Sequence, residues 1–437
     1  MAVFCGIDWA EDHHDIALVD QDGTLLTTRR IGDDATGFAA LLQLLVEAGD
    51  DPDAPIPVAI ETSHGLLVAC LRATGRPVFP INPLSVSRYR DRHSVARRKS
   101  DAGDALVLAN ILRTDLAAHR SLPADSELAQ AIAVVARAQQ DAVWARTAAH
   151  NTLRSLLREF YPALLAAFAI KRGGLLRPEA RALLAAAPTP QVAAQLSLPR
   201  LRALLRRAGL QRGLDAEAAR LQQVLRGDYL HHPALVEEAF GRQALALLRQ
   251  LDTACANAED LAAAATERFI EHPDAAIITS MPGLAELTGA RVLAEIGDDR
   301  DRFADARGLK AYAGSAPVTR ASGKSTAVLH RRVKNQRLAS VGYVWAFAAL
   351  TASPGARAHY DRRKTAGDRH VAAQRNLFNR LLGSCTTACT PARPTTKPPR
   401  SPRSHRRPMR ELLDNIAAWD VFMASDKIPA CRCDCCT

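Results

Sequence analysis

The sequence predicts an α/β domain at the N-terminus, a helical middle region and a mainly helical, basic C-terminal region. Three observations support this prediction. Short apolar strands alternate with helices over residues 1–120, Leu and Ala recur at helical spacing over 121–272, and Lys and Arg concentrate between Arg320 and Arg380. At 437 residues, 48% of them hydrophobic, the chain is long enough for two or three domains.

The first 120 residues have the pattern of a mixed sheet covered by helices. Val3, Cys5 and Ile7 alternate up to Asp8, as expected for a strand with one buried face. The predicted order is β-β-α-β-α-β-α, with room for a third N-terminal strand. The predicted elements are extended runs at 3–8 and 16–19, a paired strand at 24–31, short strands at 57–60 and 77–81, and helices at 37–48, 66–73 and 101–113.

The middle region, residues 121–272, is predicted to be a helical insert of coiled-coil or bundle type. Leu153, Leu156, Leu157 and Phe160 follow the spacing of one helix face. Such an insert either mediates dimerisation or acts as a spacer. Residues 273–383 form a third region, with helices at 287–296 and 308–313, a turn at Ser322-Gly323 and further helices up to Leu382.

The distribution of charge points to a polyanionic partner. The formal net charge is +11, and between Arg320 and Arg380 there are 13 Lys and Arg against two acids, Asp361 and Asp368. That one stretch therefore carries an excess equal to that of the whole chain. A basic block this local is typical of a face that binds nucleic-acid phosphates, the alternative being a solvated helix surface.

Nothing in the sequence predicts a membrane protein. No apolar run approaches the roughly 18 residues that span a bilayer, and the N-terminus lacks a signal-peptide pattern. We therefore expect a cytoplasmic protein that associates with the nucleoid through its nucleic-acid partner.

Four carboxylates occupy positions where they can converge. Asp8 and Glu61 each end an apolar strand, and Asp101 and Asp104 are three residues apart on one helix face. Converging carboxylates repel one another, and oxygen ligands suit a hard cation such as Mg²⁺. Taken singly, each acid has a simpler explanation: strand-end acids are usually solvated, and Asp101 and Asp104 suit the first turn of a helix.

As a set, these motifs resemble a known family. Residues 4–10 (Phe-Cys-Gly-Ile-Asp-Trp-Ala), 60–63 (Ile-Glu-Thr-Ser) and 99–105 (Lys-Ser-Asp-Ala-Gly-Asp-Ala) are similar to the four-acid motif of the DEDD insertion-sequence transposases. The resemblance implies an RNase H-like, more specifically RuvC-like, N-terminal domain. It also implies that Asp8, Glu61, Asp101 and Asp104 are catalytic and bind Mg²⁺ or Mn²⁺. The partners implied are DNA, a structured guide RNA and further copies of the chain in a dimer or tetramer.

A serine completes the resemblance. Residues 311–324 are similar to the family's Gly-x-x-Pro stretch followed by Ser-Gly, and the resemblance implies that Ser322 is the nucleophile on DNA. From the residues alone, Ser-Gly is more often a plain turn. The predicted nucleic-acid-binding residues flank the two sites: Arg97, Arg98, Lys99, Arg320, Lys324, Arg331, Arg332, Lys334 and Arg337.

Three readings remain open at this stage. The first is a transposase that cuts and rejoins DNA strands; the second is a structure-specific nuclease in which Ser322 is only structural; the third is an inactive, nucleic-acid-binding copy. The third draws on residues 384–437, which are rich in Thr, Pro, Arg and Cys and predict a disordered or frameshifted tail. The resemblance implies an apolar helix after Leu382, and the genetic code permits residues 384–390 to be Ile-Leu-His-His-Gly-Leu-His when read one base out of register.

Overall fold

The computed structural model describes residues 2–93, 101–169, 171, 173–323 and 325–389. These residues form two compact units, one ending at Ala124 and the other beginning at Asp125. Among the described residues, no helix is both long and apolar enough to cross a membrane.

The first unit is built on one five-stranded mixed sheet. Its strand order is β3-β2-β1-β4-β5, with β1, β2 and β3 antiparallel to one another and β1, β4 and β5 parallel. Its elements are β1 (Val3–Trp9), β2 (His13–Asp20), β3 (Leu25–Gly32), α1 (Ala35–Glu47), β4 (Val58–Ile60), α2 (Leu66–Ala73), β5 (Val78–Pro80), α3 (Pro83–His93) and α4 (Asp101–Asp115), followed by a short 3₁₀ helix, Leu116–Ala118.

Each face of this sheet carries its own apolar core. On one face Cys5, Ile7 and Ile16 pack with Leu41 of α1 and Leu71 of α2. On the other face Ala59 and Phe79 pack with α4, mainly through Leu108, Ile111 and Leu112. The sheet is thus a middle layer between two helical layers, which is why most residues of β1 and all three residues of β4 are buried.

The predicted elements of this unit form, with one addition. The extended runs predicted at 3–8, 16–19 and 24–31 are three separate strands, so the order starts β-β-β. The helix Pro83–His93 was missed, because its polar sequence, with Arg88, Arg90 and Arg92, has no apolar stripe to signal it.

The second unit is mainly helical, as predicted. Its elements are α5 (Glu127–Phe160), α6 (Pro162–Ala169), a 3₁₀ helix (Gly174–Leu176), α7 (Pro178–Ala186), α8 (Pro190–Ala194), α9 (Leu198–Arg207), α10 (Leu214–Leu225), α11 (Ala234–Ile270), α12 (Ala275–Thr279), α13 (Glu286–Ile296), α14 (Ala306–Tyr312), β6 (Val318–Ser322), β7 (Ser325–Leu329), α15 (Gln336–Ala352), α16 (Pro354–Thr365) and α17 (His370–Cys389).

Two long helices, α5 and α11, form an antiparallel pair that joins two cores. The start of α5 and the end of α11 pack together with α13, α15 and α17 in one core. The end of α5 and the start of α11 pack with α6, α7, α9 and α10 in another. The boundary predicted after residue 272 therefore falls within a core that residues on both sides of it share.

The last described helix continues beyond the expected end of the folded region. The sequence predicted a tail from residue 384, whereas α17 runs to Cys389 and Cys385 is buried in the first of these cores. The rest of the predicted tail, residues 390–437, lies outside the described residues.

Candidate active site

The site begins with a close approach between β1 and α4. Side chains alternate along a strand, so Gly6 and Asp8 point to the face that α4 covers. A Cβ atom at Gly6 would fall well inside contact distance of the Ala105 carbonyl oxygen and the Ala109 amide nitrogen. Only glycine therefore allows α4 to lie directly on the strand, and this contact brings the first turn of the helix towards Asp8.

Glu61 reaches the same region from the neighbouring strand. β4 runs parallel to β1, with Ala59 in register with Gly6, and Ala59 is part of the core beneath α4. Glu61 follows the last residue of β4 directly. Parallel strands end at the same edge of a sheet, so Glu61 and Asp8 are carried to one edge.

The first turn of α4 supplies the other two acids. Asp104 is buried, with 4% of its surface exposed, while Asp101 is exposed at the start of the helix. Each is neutralised by an arginine from another element. Arg90 of α3 hydrogen-bonds Asp104, and Nη2 of Arg30 lies 3.5 Å from Oδ2 of Asp101.

The electrostatics of Asp8 link it to the other three carboxylates. Its pKa is raised to about 6, first by burial and then by the negative charges of Asp104, Glu61 and Asp101. The three carboxylates that repel Asp8 most strongly are therefore the other three acids of the predicted tetrad. At neutral pH, such a group carries charges that a bound cation would stabilise.

The structure adds a fifth carboxylate that the sequence analysis missed. Asp15 pairs with Asp8 across the β1–β2 hairpin and contributes to the raised pKa of Asp8. Asp15 is buried and accepts two hydrogen bonds from Arg30, from Nε at 3.1 Å and from Nη2 at 2.8 Å. The turn of this hairpin lies at residues 10–12. A strand register predicted for that turn would have placed Asp15 opposite Asp8.

The donor set fits a divalent metal ion. His13, Asp15 and Asp101 each offer a ligand atom, and these atoms lie within 4.8 Å of one another. Nε2 of His13 is buried, and within the described ranges it has no hydrogen-bond partner. Carboxylate oxygens are ligands that Mg²⁺ and Mn²⁺ prefer, and Asp101 is the one member of this group that belongs to the predicted tetrad.

The structure places Ser322 on a hairpin, where the sequence predicted a turn at Ser322-Gly323. Ser322 is the last residue of β6 and pairs with Ser325, the first residue of β7. Gly323 turns the chain with a φ of 54°. Nine of the ten residues in these two strands are exposed, so the hairpin projects from its unit and presents Ser322 to solvent.

The predicted nucleic-acid-binding residues fall into three groups. Arg320 is exposed on β6, and Arg332 is exposed just beyond β7. Arg331 and Lys334 are half-buried; the Lys334 chain packs on Gly314, and its ammonium lies 3.3 Å from Nε2 of His330. Arg97, Arg98, Lys99 and Lys324 lie outside the described residues.

Arg337 holds two helices of its own unit together. Its guanidinium donates to both carboxylate oxygens of Asp141 at 2.8 and 2.9 Å and lies 5.0 Å from the centre of the Trp144 ring. It also donates to the carbonyl of Arg137. These contacts fasten α15 to α5 and largely neutralise the charge of Arg337.

A mixed sheet that gathers carboxylates beneath one helix is typical of enzymes that cut phosphodiester bonds with the help of divalent metal ions. Comparisons with known proteins identify the family. Residues 5–162 match the DEDD-type IS110 transposase family, and residues 275–361 match the transposase IS116/IS110/IS902 family. The chain belongs to this family of insertion-sequence transposases.

Individual relatives match over most of their length. The chain is 63% identical over 383 residues to the mini-circle putative transposase for IS117 of Streptomyces coelicolor, covering 88% of this chain and 92% of the relative. It is 30% identical over 391 residues to the uncharacterized 42 kDa protein of insertion element IS900 from Mycobacterium paratuberculosis, covering 87% and 94%. Membership confirms the resemblance stated above and implies a RuvC-like N-terminal fold, DNA as a partner and the use of a divalent metal ion.

Proposed function

We propose that this chain cuts and rejoins DNA strands with a metal-binding acidic tetrad and a serine nucleophile, guided by a structured RNA. The observation that carries the proposal is that the charges of Asp104, Glu61 and Asp101 all act on Asp8 and raise its pKa. Family membership supplies the class of reaction, and the geometry supports the assignment of residues.

The four acids hold Mg²⁺ or Mn²⁺ in this proposal. When bound, the metal supplies positive charge that stabilises the phosphate oxygens as the bond between phosphorus and oxygen breaks. Asp8 and Asp104 are fixed by the contact between β1 and α4, so the fold prearranges these ligands. Arg30 and Arg90 neutralise Asp101 and Asp104, and a metal ion held by these carboxylates would replace the two arginines as the source of positive charge.

Ser322 is the proposed attacking group. Its Oγ forms a bond to a backbone phosphorus of DNA, the bond from that phosphorus to one deoxyribose oxygen breaks, and the serine proton passes to solvent. The freed deoxyribose oxygen takes up a proton. Because one phosphoester replaces another, bond energy is retained, and attack by a new deoxyribose hydroxyl reverses the step and releases Ser322.

The basic residues near the hairpin are assigned to backbone phosphates. Arg320 and Arg332 are exposed on either side of Ser322 in the chain, where cations would steady the phosphate under attack. Such contacts fix position and carry no sequence information. We therefore assign the choice of target and donor sequence to the guide RNA, and assembly to a dimer or tetramer of the chain.

A covalent-adduct assay tests the proposal. The full chain, RNA transcribed from its element and end-labelled donor and target DNA are mixed with Mg²⁺ or with chelator, and then denatured. We expect a protein–DNA band that requires Mg²⁺, is lost in Ser322→Ala and persists in Ser325→Ala. Ser325 is the matched control, because it is the register partner of Ser322 on the same exposed hairpin.

Other outcomes of the same assay are informative. An adduct that survives in Ser322→Ala would remove the assigned role of that serine. An adduct that forms equally well after the RNA is omitted would remove the guide. Asp8→Asn should abolish the adduct while leaving DNA bound, since it removes a metal ligand and leaves the basic residues in place.

A plain nuclease is the second candidate, and one observation favours it. All four acids lie within the first unit, so metal-dependent hydrolysis requires no residue of the hairpin. Under this reading Ser322→Ala retains full strand cleavage, and no adduct forms in the unaltered protein. Cleavage products with free ends, measured in the same reactions, separate the two candidates.

A further inference from the structure

A polar cavity lies in the helical unit, apart from the residues assigned above. It measures about 260 Å³ and lies among α5, α7 and α11. Its lining includes Arg146, Arg177, Arg181, Glu179 and Glu259, with Cys255 and Gln139 at its inner side. Three arginines lining one cavity between packed helices form an unusual lining, because charged groups are rarely buried without partners.

Arg146 is the least satisfied of these groups. It is 8% exposed, and in the part of the chain that the structure describes its buried Nε has no hydrogen-bond partner. A buried charge without a partner is strongly unfavourable and normally acquires one. Arg146 lines the cavity, so the missing partner belongs in that space.

Among the described residues, the neighbouring groups include both donor and acceptor atoms that lack a hydrogen-bond partner. Arg177 pairs with Glu179 and Arg181 pairs with Asp252, but the Nε atoms of both arginines are buried without acceptors. Glu179 is also buried, and its Oε2 has no donor among the described residues. The cavity therefore calls for an occupant that offers anionic oxygens to the arginines and a hydroxyl group to Glu179.

We propose that this cavity binds a phosphate group that carries a hydroxyl, with Arg146 as its principal contact. The site goes beyond the proposed strand-transfer function, since it uses none of the tetrad or hairpin residues. Guanidinium groups bind phosphate oxygens through charge-assisted hydrogen bonds. Glu179 accepts a hydrogen bond from the hydroxyl, so the site favours phosphate over sulfate, which has no proton at neutral pH.

Two sources offer this chemistry. Inorganic phosphate carries its own P–OH group, and a nucleoside 5′-monophosphate adds ribose hydroxyls. Isothermal titration calorimetry of the full chain with inorganic phosphate, sulfate and adenosine 5′-monophosphate distinguishes them. Binding of the nucleotide at least tenfold tighter than phosphate identifies a nucleotide site, and equal or weaker binding identifies a free-phosphate site. No heat of binding from either ligand would overturn the proposal.

Arg146→Gln tests the principal contact, with Arg154→Gln as the matched control. Arg154 lies two turns further along α5 and is exposed, so its replacement changes the charge equally without touching the cavity. We expect about tenfold or greater loss of phosphate affinity in Arg146→Gln, the loss typical of one charge-assisted contact. Arg154→Gln should bind phosphate as the unaltered protein does.

Melting temperatures exclude a merely structural role for Arg146. In phosphate-free buffer, Arg146→Gln should melt at the same temperature as the unaltered protein or higher, because it removes an uncompensated buried charge. In saturating phosphate the unaltered protein should gain stability and the variant should not. A variant that melts lower in both buffers by the same amount would show that Arg146 serves packing alone, and the proposal would fail.

Glu179→Leu tests selectivity. A leucine side chain offers no acceptor for the ligand's hydroxyl, so the preference for phosphate over sulfate should disappear. A preference that is unchanged in Glu179→Leu would refute the assignment of Glu179, and tighter binding of sulfate than phosphate by the unaltered protein would refute the ligand class.

Discussion

The guanidinium of Arg30 lies 3.5 Å from the carboxylate of Asp101, and the same guanidinium holds Asp15 through two hydrogen bonds. Arg30 lies on β3 and is not one of the four acids, yet it neutralises two of the carboxylates near Asp8, Asp15 and Asp101. Arg30 competes with any metal ion for Asp101, because both depend on the same negative charge.

Replacement of Arg30 should therefore strengthen metal binding. We expect Arg30→Gln to raise the affinity for Mn²⁺ several-fold, since a competing cation is lost. Titration of Mn²⁺ followed by electron paramagnetic resonance measures this affinity. Arg29→Gln is the control, because Arg29 is exposed and points to the other side of β3. Weaker Mn²⁺ binding in Arg30→Gln would mean that Arg30 positions the carboxylates and does not block them.

Metal affinity should depend on pH through Asp8. The pKa of Asp8 is raised from 3.8 to about 6, so in the metal-free protein this carboxyl takes up a proton as pH falls through about 6. Protons and metal compete for one group, and affinity for Mn²⁺ should fall roughly tenfold per pH unit below that value. A titration series from pH 5 to 8 measures it, and constant affinity over that range would contradict the expectation.

The raised pKa of Asp8 also predicts how the stability of the metal-free protein changes with pH. A raised pKa means that the charged carboxylate is disfavoured in the folded chain, so the contribution of Asp8 to stability is fully present below about 4 and is lost as pH rises through about 6. In metal-free buffer at pH 7, Asp8→Asn should therefore melt higher than the unaltered protein. Equal melting curves at pH 7 would show that solvent or counterions already screen the repulsion between Asp8 and the neighbouring carboxylates.

Gly6 should not tolerate a methyl group. In Gly6→Ala the added carbon meets the backbone of α4 at Ala105 and Ala109, so the helix must move off the sheet. We expect a loss of about 3 kcal/mol or more in urea unfolding, together with loss of Mn²⁺ binding. Gly308→Ala is the control, since its new carbon comes no nearer than 3.7 Å to another atom.

Two arginines predicted to contact nucleic acid should behave differently. Arg337→Gln should lower the free energy of unfolding by about 1 to 2 kcal/mol, because it removes an ion pair and a cation–π contact. Arg332→Gln should leave stability unchanged, weaken DNA binding and reduce the salt dependence by about one phosphate contact. Filter binding at several salt concentrations checks the second expectation, and a normal salt slope in Arg332→Gln would exclude that contact.

A leucine at position 385 should fit the core better than the cysteine present. Cys385 is buried and borders a cavity of about 240 Å³ lined by Ile296, Phe303 and Leu309. Cys385→Leu should stabilise the chain by about 1 kcal/mol in urea unfolding, whereas Leu at exposed Cys70 should not. The out-of-register reading places leucine at 385, so a destabilised variant would remove one support for the frameshift hypothesis.

The positions of the four acids could be predicted because they follow from local patterns. Asp8 and Glu61 directly follow apolar strand residues, and Asp101 and Asp104 share the first turn of one helix. Periodicity fixes which face each side chain points to, so placing these acids near one another required only the correct sheet order. The interpretation of Ser322 depended on resemblance alone, because Ser-Gly has no local pattern that separates a reactive serine from a turn.

The elements that were missed depend on pairing between distant segments. Asp15 joins the acids only through the register of β1 with β2, and Arg30 reaches them only because β3 pairs next. The hairpin β6–β7 escaped the sequence analysis because nearly all of its residues are exposed, which removes the alternating apolar signal. The partners of Arg337, nearly 200 positions away, could not be inferred from composition.

The exposed hairpin has a consequence for when the protein can act. A two-stranded ribbon with nine of ten residues in solvent gains little from burial, and such ribbons are only marginally stable by themselves. We therefore expect the hairpin to become fully ordered only when it contacts a binding partner. Contacts with the correct partner then offset the conformational entropy that the hairpin loses. Under the proposed function, Ser322 would take up its reactive geometry only by induced fit, and DNA that is not the substrate would not meet a permanently positioned nucleophile.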